Sequence, residues 1–114
     1  MRDDVFLCDP GGTPLRDTSD LMDILGEAAW GGARWVALPV ARLHDDFFSL
    51  RTGVAGEIAQ KFVNYRVGLA IVGDVSRHVA ASTAFRDWVR ESDRGRHVWF
   101  VRDLAELEAR LADG

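Results

Sequence analysis

Four apolar runs of strand length, "VFLC" (5–8), "RWVALP" (34–39), "VGLAIVG" (67–73) and "HVWFV" (97–101), alternate with stretches whose apolar residues recur at every third or fourth position. Alternation of this kind is the pattern of successive β-α units, which build a parallel sheet through right-handed crossovers. The third and fourth runs are apolar at nearly every position, so both faces of their strands are expected to be covered. The sequence therefore predicts an α/β fold: a single domain over residues 1–114, made of four successive β-α units on a mostly parallel sheet.

Turn chemistry sets the boundaries. "DPGG" stops the first strand. Ser19 is placed to cap a helix running to about Trp30, with Leu21, Ile24, Leu25, Ala28 and Ala29 on its apolar face. "VARLHDDFFSLR" reads as irregular, and a second helix runs from Gly53 to about Tyr65 with Val54, Ile58 and Phe62 on one face and Glu57 and Lys61 as an i, i+4 pair. "STAFRDWVRES" turns Phe85, Trp88 and Val89 inward and ends at Gly95 as a left-handed stop. Asp103 and Glu106 have the capping-box spacing that opens the last helix, "DLAELEARLA". If strand order follows chain order, right-handed crossovers put the helices on one side of the sheet. The bare side then needs a second chain or an extra segment, and a homodimer is the expectation that follows.

Composition excludes several classes. At 47% apolar and 28% charged residues the chain is neither disordered nor rich enough in apolar runs to span a membrane. "MRDDVFLCDP" carries acids where a secretory signal has basic residues, so a cytoplasmic protein is expected. Cys8, the single cysteine, sits in an apolar run and reads as a reduced core thiol. The net charge of −4 and scattered basic residues argue against nucleic acid as the partner. Trp30, Trp35, Trp88 and Trp99 are many for this length; most belong in the core, with one or two free to anchor an interface.

Ligands of open parallel sheets gather at the carboxyl ends of the strands, where helix N-termini point. That edge would carry Asp9, Pro39, Asp74, Arg102 and Asp103, with "RTG" (51–53) opening the second long helix. Arg51 offers a fork for phosphate or carboxylate, Gly53 allows a close backbone approach, and Gly56 and Glu57 follow. Three readings of Thr52 stay open: a helix cap, part of an anion seat, or a hydroxyl that is modified. Gly53 and Gly56 also suit plain helix-to-sheet packing. Asp74 has the chemistry to bind a cation, accept a proton or cap the turn into Ser76, and capping is the simplest of these. "HDD" (44–46) carries metal-ligand atoms, yet adjacent loop residues rarely converge on one ion without distant ligands, and no metal or other cofactor is expected. Neither a P-loop nor GxGxxG is present, and no nucleophile–base–orienter set can be assembled, so no catalytic residue is assigned.

"DFFSLRTGVAGEIAQKFVNYRVGLAIVGD" and "FRDWVRESDRGRHVWFVRDL" carry the blocks "TGxAGExxQKFxNYR" and "AIVGD". On these the chain, from about Asp20 to Leu111, resembles the bacterial domain-of-unknown-function family numbered four-one-eight-zero, whose name implies no activity. The order of elements is also similar to the STAS superfamily, the anti-anti-sigma-factor-like domains built as a superhelix of β-α units. That resemblance implies a phosphorylated Ser or Thr followed by Gly at the helix after a central strand, the place held here by Thr52 and Gly53.

Two functional expectations follow. One is a regulatory or protein-interaction module, with an unidentified protein partner, that recognises it through the surface around Thr52. The alternative is a small-molecule binder or enzyme with a pocket at the strand carboxyl edge, using Arg51, Asp74 and Tyr65 as polar contacts.

Overall fold

The computed structural model describes residues 4–8, 11, 15, 18–43, 45–49 and 53–113. Strands β1 (Val5–Leu7), β2 (Trp35–Pro39), β3 (Gly68–Val72) and β4 (Val98–Val101) form one sheet in the order β1-β2-β3-β4, every pair parallel. Helix α1 (Thr18–Trp30) joins β1 to β2, and α2 (Asp45–Phe48) with α3 (Val54–Asn64) joins β2 to β3. Helices α4 (Ser76–Ala81) and α5 (Thr83–Arg94) lead to β4, and α6 (Leu104–Asp113) follows it. These are the four β-α units that the alternation of the sequence predicts.

Register divides the strand residues between two cores. Val36, Leu69 and Val98 align across one face, with Leu38, Ile71 and Phe100 in the next row. Against them pack Leu21, Leu25 and Ala28 of α1, Ala55, Ile58 and Phe62 of α3, and Phe85 of α5. Spacings of three and four residues put each of these sets on one helix face, so all three connections lie on the same side of the sheet.

The opposite face carries Trp35, Ala37, Ala70, Trp99 and Val101, and α6 closes over it with Leu107 buried and Leu104 and Leu111 half-buried. Among the described residues α6 does not connect two strands of the sheet, so crossover geometry does not hold it to the first side. Burying Leu107 there contributes about 2 kcal/mol. The bare face that made a homodimer the expectation is thus covered over β2–β4 by the chain's own last helix. At the β1 edge Leu7 stays 41% exposed.

Several local expectations need correction. Helix α1 begins at Thr18, so Ser19 lies inside its first turn rather than at its cap. The stretch read as irregular holds a 3-10 turn (Val40–Arg42) and α2, and α4 also appears; none of these is long enough to show a helical period. Gly95 is extended (φ −91°) and not left-handed. Helix α5 is fixed at its start instead, where Ser82 Oγ accepts from the Phe85 N–H at 3.1 Å. At α6, Asp103 Oδ1 accepts from the Glu106 N–H at 2.9 Å, as the capping-box spacing predicts. The Glu106 carboxylate returns one residue earlier than the motif requires, to the N–H (3.3 Å) and Nε (3.0 Å) of Arg102. Of the tryptophans, Trp35 and Trp99 are buried, Trp88 is half-buried, and Trp30 at the end of α1 is 94% exposed.

Candidate functional site

The carboxyl edge of the sheet is where β2 and β3 hand over to α2 and α4. Asp74 leaves β3 there with Oδ1 accepting from the Ser76 N–H at 2.8 Å, and the Ser76 hydroxyl, then this backbone bond, hold its carboxyl below the usual aspartate range. The carboxylate is therefore engaged as the cap of a turn, the simplest of its sequence readings.

Gly53 is the residue that caps α3. It is left-handed (φ 78°), makes no side-chain cap, and would meet no neighbour if it carried a Cβ. Its conformation, not close packing, is what calls for glycine. Gly56 is exposed with open space around it, so neither glycine serves helix-to-sheet packing. Glu57 is exposed in the first turn, and among the described residues no ion pair joins it to Lys61; exposed pairs gain too little to hold two long side chains in place. Tyr65 sits at the far end of α3, more than half exposed and next to the amino end of β3. The structure thus separates Tyr65 from Gly53 and Asp74 by the length of a helix. Arg51 and Thr52, like Asp9 and His44, lie outside the described residues.

Between α2 and α4–α5, at the same carboxyl edge, lies an open concavity of about 710 Å³, lined by Asp45, Phe48, Ser49, Arg77, His78 and Ser82. Its wall is a stacked pair: the His78 ring lies 3.7 Å from the Phe48 ring centroid with planes 7° apart. Phe48 is held in turn by edge contacts to Phe47 and Phe85, so the wall is anchored in the main core. Arg77 Nη2 stands 3.3 Å from His78 Nε2. A guanidinium only donates, so this contact is a hydrogen bond in the neutral tautomer that leaves Nε2 unprotonated. Partial burial, then the Arg77 charge, lower the His78 pKa, while Asp45 opposes them. The site offers a flat apolar surface, a cation and a carboxylate within one hollow.

Residues 2–111 of the chain match the family described as Domain of unknown function (DUF4180). The chain belongs to that family. No curated protein and no solved structure matches it. In this DUF4180 domain, no helix among the described residues is long and apolar enough to cross a membrane, and no group of three or more His, Cys, Asp or Glu among them is placed to hold a metal ion. Cys8 is buried, and burial pushes its thiol up to about 11, the behaviour of a core thiol.

Sequence reasoning missed Phe48, Arg77 and His78. Phe48 belongs to a four-residue helix and His78 to a six-residue one, and their adjacency joins residues thirty apart in the chain. The one available signal was the pair of aromatics before "SLRTG", which demanded a buried anchor just ahead of the candidate segment.

Proposed function

We propose that this domain is a regulatory recognition module that takes a small ligand at the carboxyl edge of its sheet, in the hollow between α2 and α4. The observation that supports it most is the Phe48–His78 wall beside Arg77 in a concavity whose volume is of small-molecule scale. Its position at the strand carboxyl ends is where doubly wound and related sheets bind ligands. The ligand class that fits has a planar or apolar part for the stacked wall and an acceptor group for Arg77. Ser49 of the hollow stands three residues before Thr52 in the chain, and the reading keeps the Arg51–Thr52–Gly53 segment as its candidate switch. Phosphorylation of Thr52 would add about −1.5 to −2 charges to that segment, and the STAS-like order of elements favours such a switch by analogy. Regulation then consists in ligand or phosphate changing what a protein partner meets at this edge.

Thermal unfolding against a panel of small metabolites tests the reading, with His78→Ala and Arg77→Gln as controls. A ligand at a hundred times its Kd stabilises the fold by about 2.7 kcal/mol, readily seen as a raised Tm. The expected result is a compound that raises the Tm of the wild type and leaves both variants unmoved. Equal shifts in the wild type and the variants would contradict it.

A further inference from the structure

The opposite edge of the sheet holds a second hollow, of about 420 Å³, whose charge runs against that of the whole chain. β2, β3 and β4 are each entered through an arginine: Arg34 directly before Trp35, Arg66 two residues before Gly68, and Arg96 two residues before Val98. Backbone hydrogen bonds set these entrances side by side, with the Gly68 N–H donating to Arg34 O at 2.7 Å and the Leu69 N–H to His97 O at 2.8 Å. All three arginines and His97 line the hollow, and Trp35 and Trp99 form its floor. In a chain of net charge −4 this gathers three guanidiniums at one place. Among the described residues neither Arg34 nor Arg66 makes an ion pair.

Arg66 carries a second and independent sign. Helices α1 and α3 end in the same motif. In α1 the Gly32 N–H donates to Ala29 O and the Ala33 N–H to Ala28 O; in α3 the Arg66 N–H donates to Val63 O and the Val67 N–H to Phe62 O. The motif needs a left-handed residue, and α1 supplies Gly32 (φ 80°), for which the conformation carries no steric penalty. The same position in α3 is Arg66, at φ 59°, the one non-glycine residue with positive φ among those described. Its side chain is exposed, so burial does not account for an arginine where glycine is favoured. An unfavoured backbone conformation at an exposed, charged position lining a hollow marks Arg66 as a candidate for a binding role.

The geometry points to a binding site for a small organic phosphate at the amino edge of the sheet, its anion held by the guanidiniums of Arg34 and Arg66 and its apolar body resting against the edges of the Trp35 and Trp99 indoles. Guanidinium forks match phosphate oxygens two at a time, and a phosphate dianion offers two forks three terminal oxygens and twice the charge of a carboxylate. His97 lines the same hollow and carries a further ring N–H donor. The site is at the other edge of the sheet from the hollow between α2 and α4, so either assignment stands or falls without the other.

Phenyl phosphate, inorganic phosphate and benzoate serve as probes, titrated into the full chain while the indole Nε1–H resonances are followed by NMR. Phenyl phosphate is expected to shift the Trp35 and Trp99 signals saturably, binding about tenfold tighter than either other probe. Arg34→Gln is expected to weaken it about tenfold. Arg66→Gly separates binding from structure: it restores the favoured residue of the motif, so it should raise the unfolding midpoint while weakening phenyl phosphate by a similar factor. No saturable shift up to about 10 mM probe would overturn the proposal. So would wild-type affinity in Arg66→Gly, or benzoate binding as tightly as phenyl phosphate.

Discussion

The indoles of Trp35 and Trp99 stack with ring centroids 4.1 Å apart and planes 25° from parallel, although the residues belong to β2 and β4 and a whole strand runs between them. The contact is made across Gly68. A Cβ built on that residue would lie 2.5–2.6 Å from atoms of the Trp35 ring. The missing side chain on β3 is the space in which the stack forms.

Gly68→Ala should therefore destabilise the domain by about 1–3 kcal/mol, the range for forcing extra volume into a packed core. Urea unfolding followed by tryptophan fluorescence measures it, and the native emission should change as the stack is displaced. An unchanged midpoint and spectrum would show that Trp35 moves aside without loss.

Asp93 ties the last helix to the sheet. Its Oδ1 accepts from the Phe100 N–H at 2.9 Å and from Arg110 Nη1 at 3.2 Å, while Arg110 Nη2 donates to Asp93 O at 2.8 Å. The Arg110 guanidinium carbon also lies 4.2 Å from the Trp99 ring centre, and Trp99 Nε1 donates to Gly95 O at 2.8 Å. Asp93→Ala removes an acceptor from a part-buried amide and releases Arg110, with an expected cost of about 1–3 kcal/mol. Chemical denaturation checks the loss, and faster amide exchange at Phe100 should accompany it.

Cys8 gives a stability term at alkaline pH. Its thiol ionises at 9.0 when unperturbed and at about 11 in the fold, chiefly because burial penalises the thiolate. Between those values the unfolded chain has released the proton and the native chain still binds it, so stability falls as pH rises from about 9 to 11. Cys8→Ala should flatten that part of the stability curve, and the native thiol should react with a disulfide reagent at pH 8 far more slowly than the unfolded chain. Rapid reaction under native conditions would contradict the burial argument.

His78 works in the other direction. Partial burial and the facing Arg77 lower its pKa below 6.5, so as pH falls through that window the unfolded chain takes up the proton before the native one does. The contribution is present above the ordinary value and lost as pH drops towards the folded one. An NMR titration of the imidazole should give a midpoint below 6.5, moving upward in Arg77→Gln. A midpoint at or above the ordinary value would show that the stack on Phe48 leaves the ring as open to water as a free histidine.

The parallel sheet and its order of elements were legible because "VGLAIVG" and "HVWFV" are buried on both faces and the long helices repeat their apolar residues faithfully. Asp103 was legible as a cap because its chemistry is local. The hollow between α2 and α4 was not, since Phe48 and His78 meet only through tertiary packing of two helices too short to carry a period. Arg66 was hidden for a different reason: "NYRVG" contains no glycine at the position that turns left-handed, so no turn signal marked it. The covering of the second sheet face by α6 was missed as well, because a helix after the last strand is free of the crossover rule that placed the others.

The account turns on where the domain binds. A crystallographic soak of the wild-type protein with a library of small planar fragments tests this most directly, because it reads position without presuming a ligand. The account predicts fragments seated between α2 and α4, lying against Phe48 and His78 with an acceptor at Arg77. Fragments that gather elsewhere on the molecule, with that hollow left empty across the library, would contradict it.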